Sequence, residues 1–167
     1  KLREAGIDDF VILEKGDGLG GTWYHNSYPG AACDVQSHMY SFSFEANPDW
    51  SHRYSGQQEI HDYIQGVTDK HNIRQFTRFN AEVTGAHFDD QAALWTLNLA
   101  DGSQLICQHW VLASGPLHVP SFPNFKGMEN FKGKIIHSAQ WDHDYDMSGK
   151  KVVSIGTGAS AIQYVPH

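Results

Sequence analysis

A chain of 167 residues is long enough for one domain with a buried core, and 40% hydrophobic and 19% charged residues are typical of a folded globular protein. The formal net charge is −7 and Lys and Arg form no cluster, which argues against a nucleic-acid partner. No apolar run approaches the roughly 20 residues of a membrane-spanning helix, and the N-terminus lacks a signal-peptide pattern. Cys33 and Cys107 match no metal or redox spacing, so we expect two free thiols in a cytoplasmic protein.

The N-terminal residues are predicted to be the second half of a βαβ unit. Residues 1–6 have the composition of a last helical turn ended by Gly6. Residues 10–13 are continuously apolar, which predicts a strand buried on both faces, as in a parallel sheet. Glu14 ends this strand, where an acid either accepts hydrogen bonds from the ribose hydroxyls of a dinucleotide or is simply solvated.

A loop and a helix follow. The density of Gly, Pro and aromatic residues over 16–34 predicts a long loop that lies against a ligand or another element. Apolar residues at i, i+3, i+4 and i+7 spacing then predict a helix over residues 57–71, namely Ile60, Tyr63, Ile64 and Val67. Ser55 and Gln58 form a candidate capping box for this helix.

Three short runs come next, over residues 81–88, 94–99 and 104–113. Because the separators carry hairpin chemistry, the runs predict an antiparallel three-stranded meander inserted in an α/β pattern. The third run leads into Ser114-Gly115, where small residues allow close backbone approach to a ligand. Residues 116–133 have the composition of a connector, and we expect a domain boundary near residue 141.

The end of the chain predicts a second nucleotide-binding unit. An apolar strand over residues 152–155 runs into the G-x-G-x-x-A pattern of residues 156–161, and a helix follows. Glycines permit the tight turn and let backbone N–H groups approach a pyrophosphate at the positive end of the helix. A tight turn with no ligand is the alternative interpretation.

Two longer patterns carry a resemblance to a known family. Gly20-Gly21-Thr22-Trp23, then Tyr28-Pro29-Gly30 and Asp34, fit glycine, x, Trp, four residues, aromatic-Pro-Gly, three residues, Asp. The second pattern is F-x-G-x-x-x-H-x-x-x-W-[P/D], carried by Phe131, Gly133, His137, Trp141 and Asp142. Together they resemble the signatures of class B flavoprotein monooxygenases. Trp141 favours the Baeyer–Villiger branch over the related flavin-containing monooxygenases that oxidise N or S.

This resemblance implies a Rossmann-like α/β fold with two dinucleotide-binding domains. Residues 1–141 would form an FAD-binding domain without its first strand and G-x-G-x-x-G turn, and residues 142–167 the start of an NADPH-binding domain. The implied chemistry is hydride transfer from NADPH to FAD, capture of O2 as a flavin C4a-peroxide, and oxygen insertion into a ketone. Oxidation of N or S in small molecules and an inactive nucleotide-binding remnant are the alternatives. We expect a fragment that is inactive alone.

The resemblance also implies roles for individual residues. Asp34 would act electrostatically beside the isoalloxazine and nicotinamide, its alternative being the cap of a turn. The residues implied to hold FAD are Glu14 at the ribose, Val83 at the adenine part, Thr22, Trp23 and Tyr40 along the flavin, and Ser114 and Gly115 close by. Those implied to hold the NADPH pyrophosphate are Gly156, Thr157, Gly158, Ala159, Ser160, Ala161, Ile162 and Gln163. The second pattern, Phe131, Gly133, His137, Trp141 and Asp142, would lie at a domain junction.

Metal binding is not expected. The densest group of potential ligands lies between His137 and Asp144, and its spacing matches no common zinc pattern. The sequence does not indicate an oligomeric state.

Overall fold

The computed structural model describes residues 1–117 and 119–167. Across these residues the chain has an α/β fold that forms two compact units: unit 1 comprises Lys1–Leu19 and Gln65–Ser114, and unit 2 comprises Gly20–Ile64 and Gly115–His167. The regular elements, in chain order, are β1 (Ile12–Leu13), α1 (Thr22–His25), α2 (Gln57–Lys70), β2 (Thr77–Arg78), β3 (Val83–Asp89), β4 (Leu94–Leu99), β5 (Gln104–Cys107) and α3 (Ala159–Tyr164). No helix in this described part is both long and apolar enough to span a bilayer.

Unit 1 begins with the predicted glycine stop. The turn Arg3–Ala5 ends at Gly6, whose φ of 75° is left-handed and whose N–H bonds to the carbonyl of Arg3, so this prediction is confirmed. The parallel sheet is confirmed too, because β1 pairs in parallel with β2. Burial of β1 on both faces was wrong: Val11 is 44% exposed and the strand is half-buried. Among the described residues only β2 borders β1, so its other edge has no neighbouring strand.

The meander prediction is confirmed, since β3, β4 and β5 pair in antiparallel order. Leu97 and Leu99 of β4 are buried and form its inner face. The third strand is shorter than predicted: it ends at Cys107 instead of Ala113, and Val111 is 82% exposed. The apolar residues after Cys107 have no pairing strand in the described part of the chain, which is why their propensity does not produce a strand.

The predicted central helix is confirmed as α2, which buries Ile60 and Val67. The capping box was wrong. Ser55 is fully buried and its hydroxyl lies 3.0 Å from the Ser37 hydroxyl, while Gln58 Nε2 donates to Asp62 Oδ1. The serine is therefore used to fix a distant loop, and the glutamine bonds along its own helix.

The C-terminal prediction is confirmed for the turn and the helix but wrong for the strand. Gly156 has a left-handed φ of 116°, and α3 follows the glycine turn directly. Residues 152–155 form no strand, and Val153 is 83% exposed. A parallel strand needs neighbours to satisfy its backbone, and no described segment pairs with these residues. The connector over 116–133 contains only the 3₁₀ turn Met128–Asn130 among its described residues. The boundary near residue 141 stays a prediction.

Candidate functional site

Glu14 lies at the carboxyl end of β1 in unit 1. Its backbone continues the parallel pairing, since its N–H donates to the Arg78 carbonyl at 3.0 Å and its carbonyl accepts from the Ala81 N–H at 2.9 Å. Its carboxylate Oε1 accepts the Gly16 N–H at 2.7 Å. Val83 starts β3 two residues after Ala81, so unit 1 brings Glu14 and Val83 onto adjoining segments. This is the edge where open α/β sheets bind ligands.

The donor and acceptor set at this edge fits a ribose. A carboxylate has about four lone-pair sites, so the bond from Gly16 leaves Glu14 with capacity for hydroxyl donors. The ion pair between Lys15 Nζ and Glu82 Oε1, 2.8 Å long, joins the same two segments on the exposed side. Ser114 and Gly115 are both exposed, and Gly115 has a φ of 68° with open space around it, which suits close approach of a ligand.

In unit 2, the loop before α1 packs tightly. Gly20 has a φ of 132°, and a Cβ at this position would lie 2.9 Å from His61 Cδ2, so only glycine allows this approach to α2. The Trp23 and Tyr40 rings meet edge to face at 5.3 Å, and the Trp23 carbonyl accepts a hydrogen bond from the Gln57 amide. Unit 2 thus brings Trp23, which follows Thr22 in α1, into contact with Tyr40; that they line a flavin stays a prediction.

Asp34 projects from a loop whose backbone is anchored on both sides. The preceding Cys33 N–H donates to the Ser55 carbonyl at 3.0 Å, and the following Ser37 N–H donates to the Arg53 carbonyl at 2.8 Å. Its own side chain is exposed. The arrangement holds an accessible carboxylate on a fixed piece of backbone.

A buried pair of serines supports this loop and was not found from the sequence. Ser37 is 2% and Ser55 0% exposed. The Ser37 hydroxyl accepts the Ser55 N–H at 2.9 Å and lies 2.7 Å from the His52 carbonyl. Cys33 Sγ, 3.8 Å away, completes the cluster. Serines in a polar loop ordinarily predict solvent exposure, so only the helix-capping pattern at Ser55 offered a signal, and it suggested a different partner.

Burial and the Asp34 carboxylate both affect the pKa of Tyr40. Partial burial of the phenol raises the pKa of Tyr40 above its ordinary value, and the nearby Asp34 carboxylate raises it further. The Tyr40 hydroxyl therefore stays protonated, and able to donate a hydrogen bond, throughout the neutral range.

The glycine turn before α3 is open. No atom lies within 4 Å of a Cβ built on Gly156 or Gly158, and the φ of Gly156 is 116°. The first N–H groups of a helix have no intrahelical partner, so Ala159, Ser160 and Ala161 present donors suited to an anionic group. This backbone chemistry fits a pyrophosphate.

Gln163, one turn further along α3, is engaged elsewhere. Its side-chain amide bonds to the Tyr28 hydroxyl at 2.8 Å and to the Ala32 carbonyl at 2.8 Å, while Ile162 beside it is 72% exposed. Gln163 was expected at the pyrophosphate, but its side chain forms hydrogen bonds to other residues of the protein.

The second pattern forms its own contacts within unit 2. His137 Nδ1 accepts the Ala139 N–H at 3.1 Å and so caps the turn Ser138–Gln140. Lys134 Nζ lies 2.5 Å from Asp142 Oδ2. The hydrogen bond from Lys134 holds the pKa of Asp142 below its usual range, and Asp142 in turn raises the pKa of Lys134.

Phe131 is 60% exposed, and a Cβ at Gly133 would lie 2.5 Å from its ring, so glycine at 133 allows the ring to fold over the backbone.

Tyr164 of α3 packs against one aromatic residue from each of the two longer sequence patterns. Its ring lies 5.5 Å from the Trp141 ring and 6.2 Å from the Tyr28 ring. One helix after the glycine turn thus contacts both of the longer sequence patterns.

Within the described residues, no group of three or more His, Cys, Asp or Glu side chains is arranged to hold a metal ion.

Comparison with known proteins agrees with this architecture. Residues 1–166 match the family described as pyridine nucleotide-disulphide oxidoreductase, and the chain belongs to that family. A Baeyer–Villiger monooxygenase of Pseudomonas aeruginosa is 50% identical over 99% of this chain and 32% of its own length. The chain thus spans about a third of the length of the curated relatives it matches. The resemblance drawn from the two sequence patterns is confirmed.

Solved structures give the same result. An oxidized steroid monooxygenase bound to NADP has a TM-score of 0.86 and 40% identity, with 99% of this chain and 32% of that chain covered. The OTEMO protein in complex with FAD and NADP has a TM-score of 0.90 and 33% identity, with 99% and 33% covered. These likenesses confirm the predicted fold class.

Proposed function

We propose that this chain is part of an enzyme that uses FAD, NADPH and O2 to insert one oxygen atom into a ketone, giving an ester or lactone. The observation that carries the proposal is the contact of Tyr164 with both Tyr28 and Trp141, because it joins the glycine turn to the two patterns. The proposal is also supported by relatives that are named Baeyer–Villiger monooxygenase and FAD-binding monooxygenase. The free thiols of Cys33 and Cys107 support a cytoplasmic location.

FAD is bound, in this proposal, by the residues that the family resemblance implies. Glu14 accepts hydrogen bonds from the ribose hydroxyls, and the backbone of Val83 contacts the adenine part. Trp23 and Tyr40 exclude water from the flavin and Thr22 lines it, while Ser114 and Gly115 pass close to the cofactor. The half-buried acid with spare acceptors and the edge-to-face ring pair are the features that support these roles.

NADPH is held by the backbone N–H groups of residues 156–161, with Ile162 and Gln163 continuing α3 beneath them. When bound, NADPH supplies a hydride and FAD accepts it and reacts with O2. Asp34 is the candidate catalytic residue: its exposed carboxylate provides a fixed negative charge beside the reacting groups. Phe131, Gly133, His137, Trp141 and Asp142 lie at the junction between an FAD domain over 1–141 and an NADPH domain over 142–167.

The test uses the complete gene product with cyclohexanone as the probe ketone. We expect bound FAD, NADPH oxidation that rises on adding cyclohexanone, and a lactone product. Asp34→Asn should lower turnover about 100-fold. Asp49→Asn, a matched change at another exposed carboxylate of unit 2, should stay within about twofold of the wild type.

Two results would redirect the assignment. A protein that binds FAD and oxidises methyl phenyl sulfide, but forms no lactone, would be an N- or S-oxygenating enzyme. A complete gene product that binds neither FAD nor NADPH would be a remnant.

A further inference from the structure

We propose that Tyr28 is a positioning residue for Asp34, and that its hydrogen bond to Gln163 couples the NADPH-binding turn to the Asp34 loop. This inference rests on the proposed function of the same site. It assigns a role to the aromatic residue of the first sequence pattern, and it makes the role of Gln163 indirect.

The coupling consists of three hydrogen bonds to one amide group. The Tyr28 hydroxyl donates to Gln163 Oε1 at 2.8 Å, and the Ala32 N–H donates to the same oxygen at 3.4 Å. Gln163 Nε2 donates to the Ala32 carbonyl at 2.8 Å. Both polar atoms of the amide thus bond to segment 28–32, and only the second N–H of Nε2 is left to donate to a pyrophosphate.

The packing around these bonds leaves no room for independent movement. Tyr28 is only 8% exposed, and its ring lies against Tyr164. A Cβ at Gly30 would lie 2.5 Å from the Gln163 carbonyl, so the loop and α3 touch backbone to backbone. A shift of α3 must therefore move segment 28–32 with it.

Segment 28–32 leads directly to the candidate catalytic residue. Ala32 is two residues before Asp34, and between them the Cys33 N–H is fixed to the Ser55 carbonyl at 3.0 Å. At the other end, Gln163 lies one helical turn after Ala159, where α3 begins. The path from the glycine turn to the Asp34 carboxylate thus runs through one helical turn, one amide and two residues of loop.

A direct role for Gln163 makes different predictions. If its amide leaves Tyr28 to bind the pyrophosphate, removing the Tyr28 hydroxyl has no effect on how the Asp34 loop responds to NADP+. If the coupling operates, the two side chains act as one unit, and their substitutions are non-additive.

The first experiment measures hydrogen–deuterium exchange in the complete gene product, with NADP+ as the probe. In the wild type we expect NADP+ to slow exchange over residues 31–36. In Tyr28→Phe this protection should fall about fivefold, while the Kd of NADP+ stays within about twofold. Tyr54→Phe, which removes the hydroxyl of an exposed tyrosine in the same unit, should behave as the wild type.

The second experiment is a double-mutant cycle on the rate of flavin reduction by NADPH. Gln163→Met keeps the side-chain length without the amide. We expect Gln163→Met and Tyr28→Phe each to slow reduction about five- to tenfold, with the double variant no slower than Gln163→Met. If Gln163→Met does not fold, Tyr28→Phe and its exchange profile decide alone.

Two outcomes would overturn the coupling. Weaker NADP+ binding in Gln163→Met, with an unchanged exchange response in Tyr28→Phe, would make Gln163 a direct ligand. Additive effects on flavin reduction would also exclude a shared action. A wild type that binds FAD but no NADP+ would instead contradict the proposed function itself, and the coupling with it.

Discussion

The two units are stabilised by different kinds of contact. In unit 1, segments 83–107 are joined by a continuous antiparallel backbone ladder. Unit 2 relies on side chains that reach distant backbone atoms: the Tyr63 hydroxyl donates to the Glu45 carbonyl at 2.6 Å, and Gln163 bonds to both backbone polar groups of Ala32. A ladder survives most side-chain changes, whereas a side-chain anchor is lost with one substitution. Unit 2, which carries Asp34, should be the more sensitive of the two.

The loops show the same difference. In unit 1, Asp101 Oδ1 accepts the Ser103 N–H two residues away, and Asp89 Oδ1 accepts the Gln91 N–H in the same manner. In unit 2, Tyr28 and Gln163 are 135 residues apart in sequence. Short-range turns form from local sequence alone, while the long-range contact exists only in the folded protein.

The largest expected effect comes from a pair of glycines, one in each unit. Gly30 and Gly102 both have a left-handed φ, 73° and 83°, but a Cβ at Gly30 would meet the Gln163 carbonyl at 2.5 Å, and Gly102 has open space. Gly102→Ala should lower the free energy of unfolding by about 1 to 2 kcal/mol from backbone strain. Gly30→Ala adds overpacking and should cost about 3 to 4 kcal/mol in urea unfolding. Equal costs would contradict the tight packing of α3 against this loop.

A smaller effect is expected from a pair of serines. Ser37→Ala removes the partner of the buried Ser55 N–H and His52 carbonyl, so it should cost about 2 kcal/mol of unfolding free energy. Ser103→Ala removes a hydroxyl from a turn that keeps its backbone bond to Asp101, and should cost about 0.5 kcal/mol. Thermal or urea unfolding of both variants checks the order. If Ser103→Ala proves the costlier change, the comparison between the units fails.

The sequence predicted best what depends on local pattern. The meander followed from apolar runs and Asp-containing turns, and the glycine stop at Gly6 and the turn at Gly156 followed from residue type. The strands predicted at Val111 and Val153, by contrast, do not form. The apolar composition there indicates strands, but strand formation needs a neighbour, and none of the described segments provides one.

The candidate site was predicted as a set of residues but not as an arrangement. The two sequence patterns pointed to Trp23, Asp34 and Trp141 because residue type and spacing are recorded in the chain. The partners of Ser55 and Gln163 were not accessible in this way, since both side chains bond to residues far away in sequence. Long-range hydrogen bonds of polar side chains have no periodic signature, and their partners emerge only from the fold.

Two carboxylates extend the comparison between the units to acid pH. In unit 2, hydrogen bonds from the backbone N–H and then the hydroxyl of Ser51, eight residues away, hold the pKa of Glu59 below its ordinary value. In unit 1, the hydroxyl and then the N–H of Ser103 lower the pKa of Asp101. The bonds from Ser103 span two residues and can persist in the unfolded chain, so their contribution to folding is partly cancelled. The longer-range ion pair of Asp101 with Arg78, 2.8 Å long, is exposed and therefore adds little. The Glu59 contact requires the fold.

The expected pH dependence of stability follows from the lowered pKa values of Glu59 and Asp101. Its effect should be smaller than those of the glycine and serine substitutions. A folded-state pKa below the unfolded value means that the stabilisation is fully present well above about pH 4.3, the ordinary Glu value, and is lost as pH falls through the lowered folded-state value. Glu59→Gln should therefore destabilise the protein at neutral pH and flatten the fall in stability between about pH 5 and pH 3. Ser51→Ala, which leaves the backbone donor, should flatten it less, and Asp101→Asn least. Urea unfolding of each variant across this range measures the slopes, and a larger change in Asp101→Asn than in Glu59→Gln would show that the long-range contact of unit 2 does not stabilise the fold more than the local turn of unit 1.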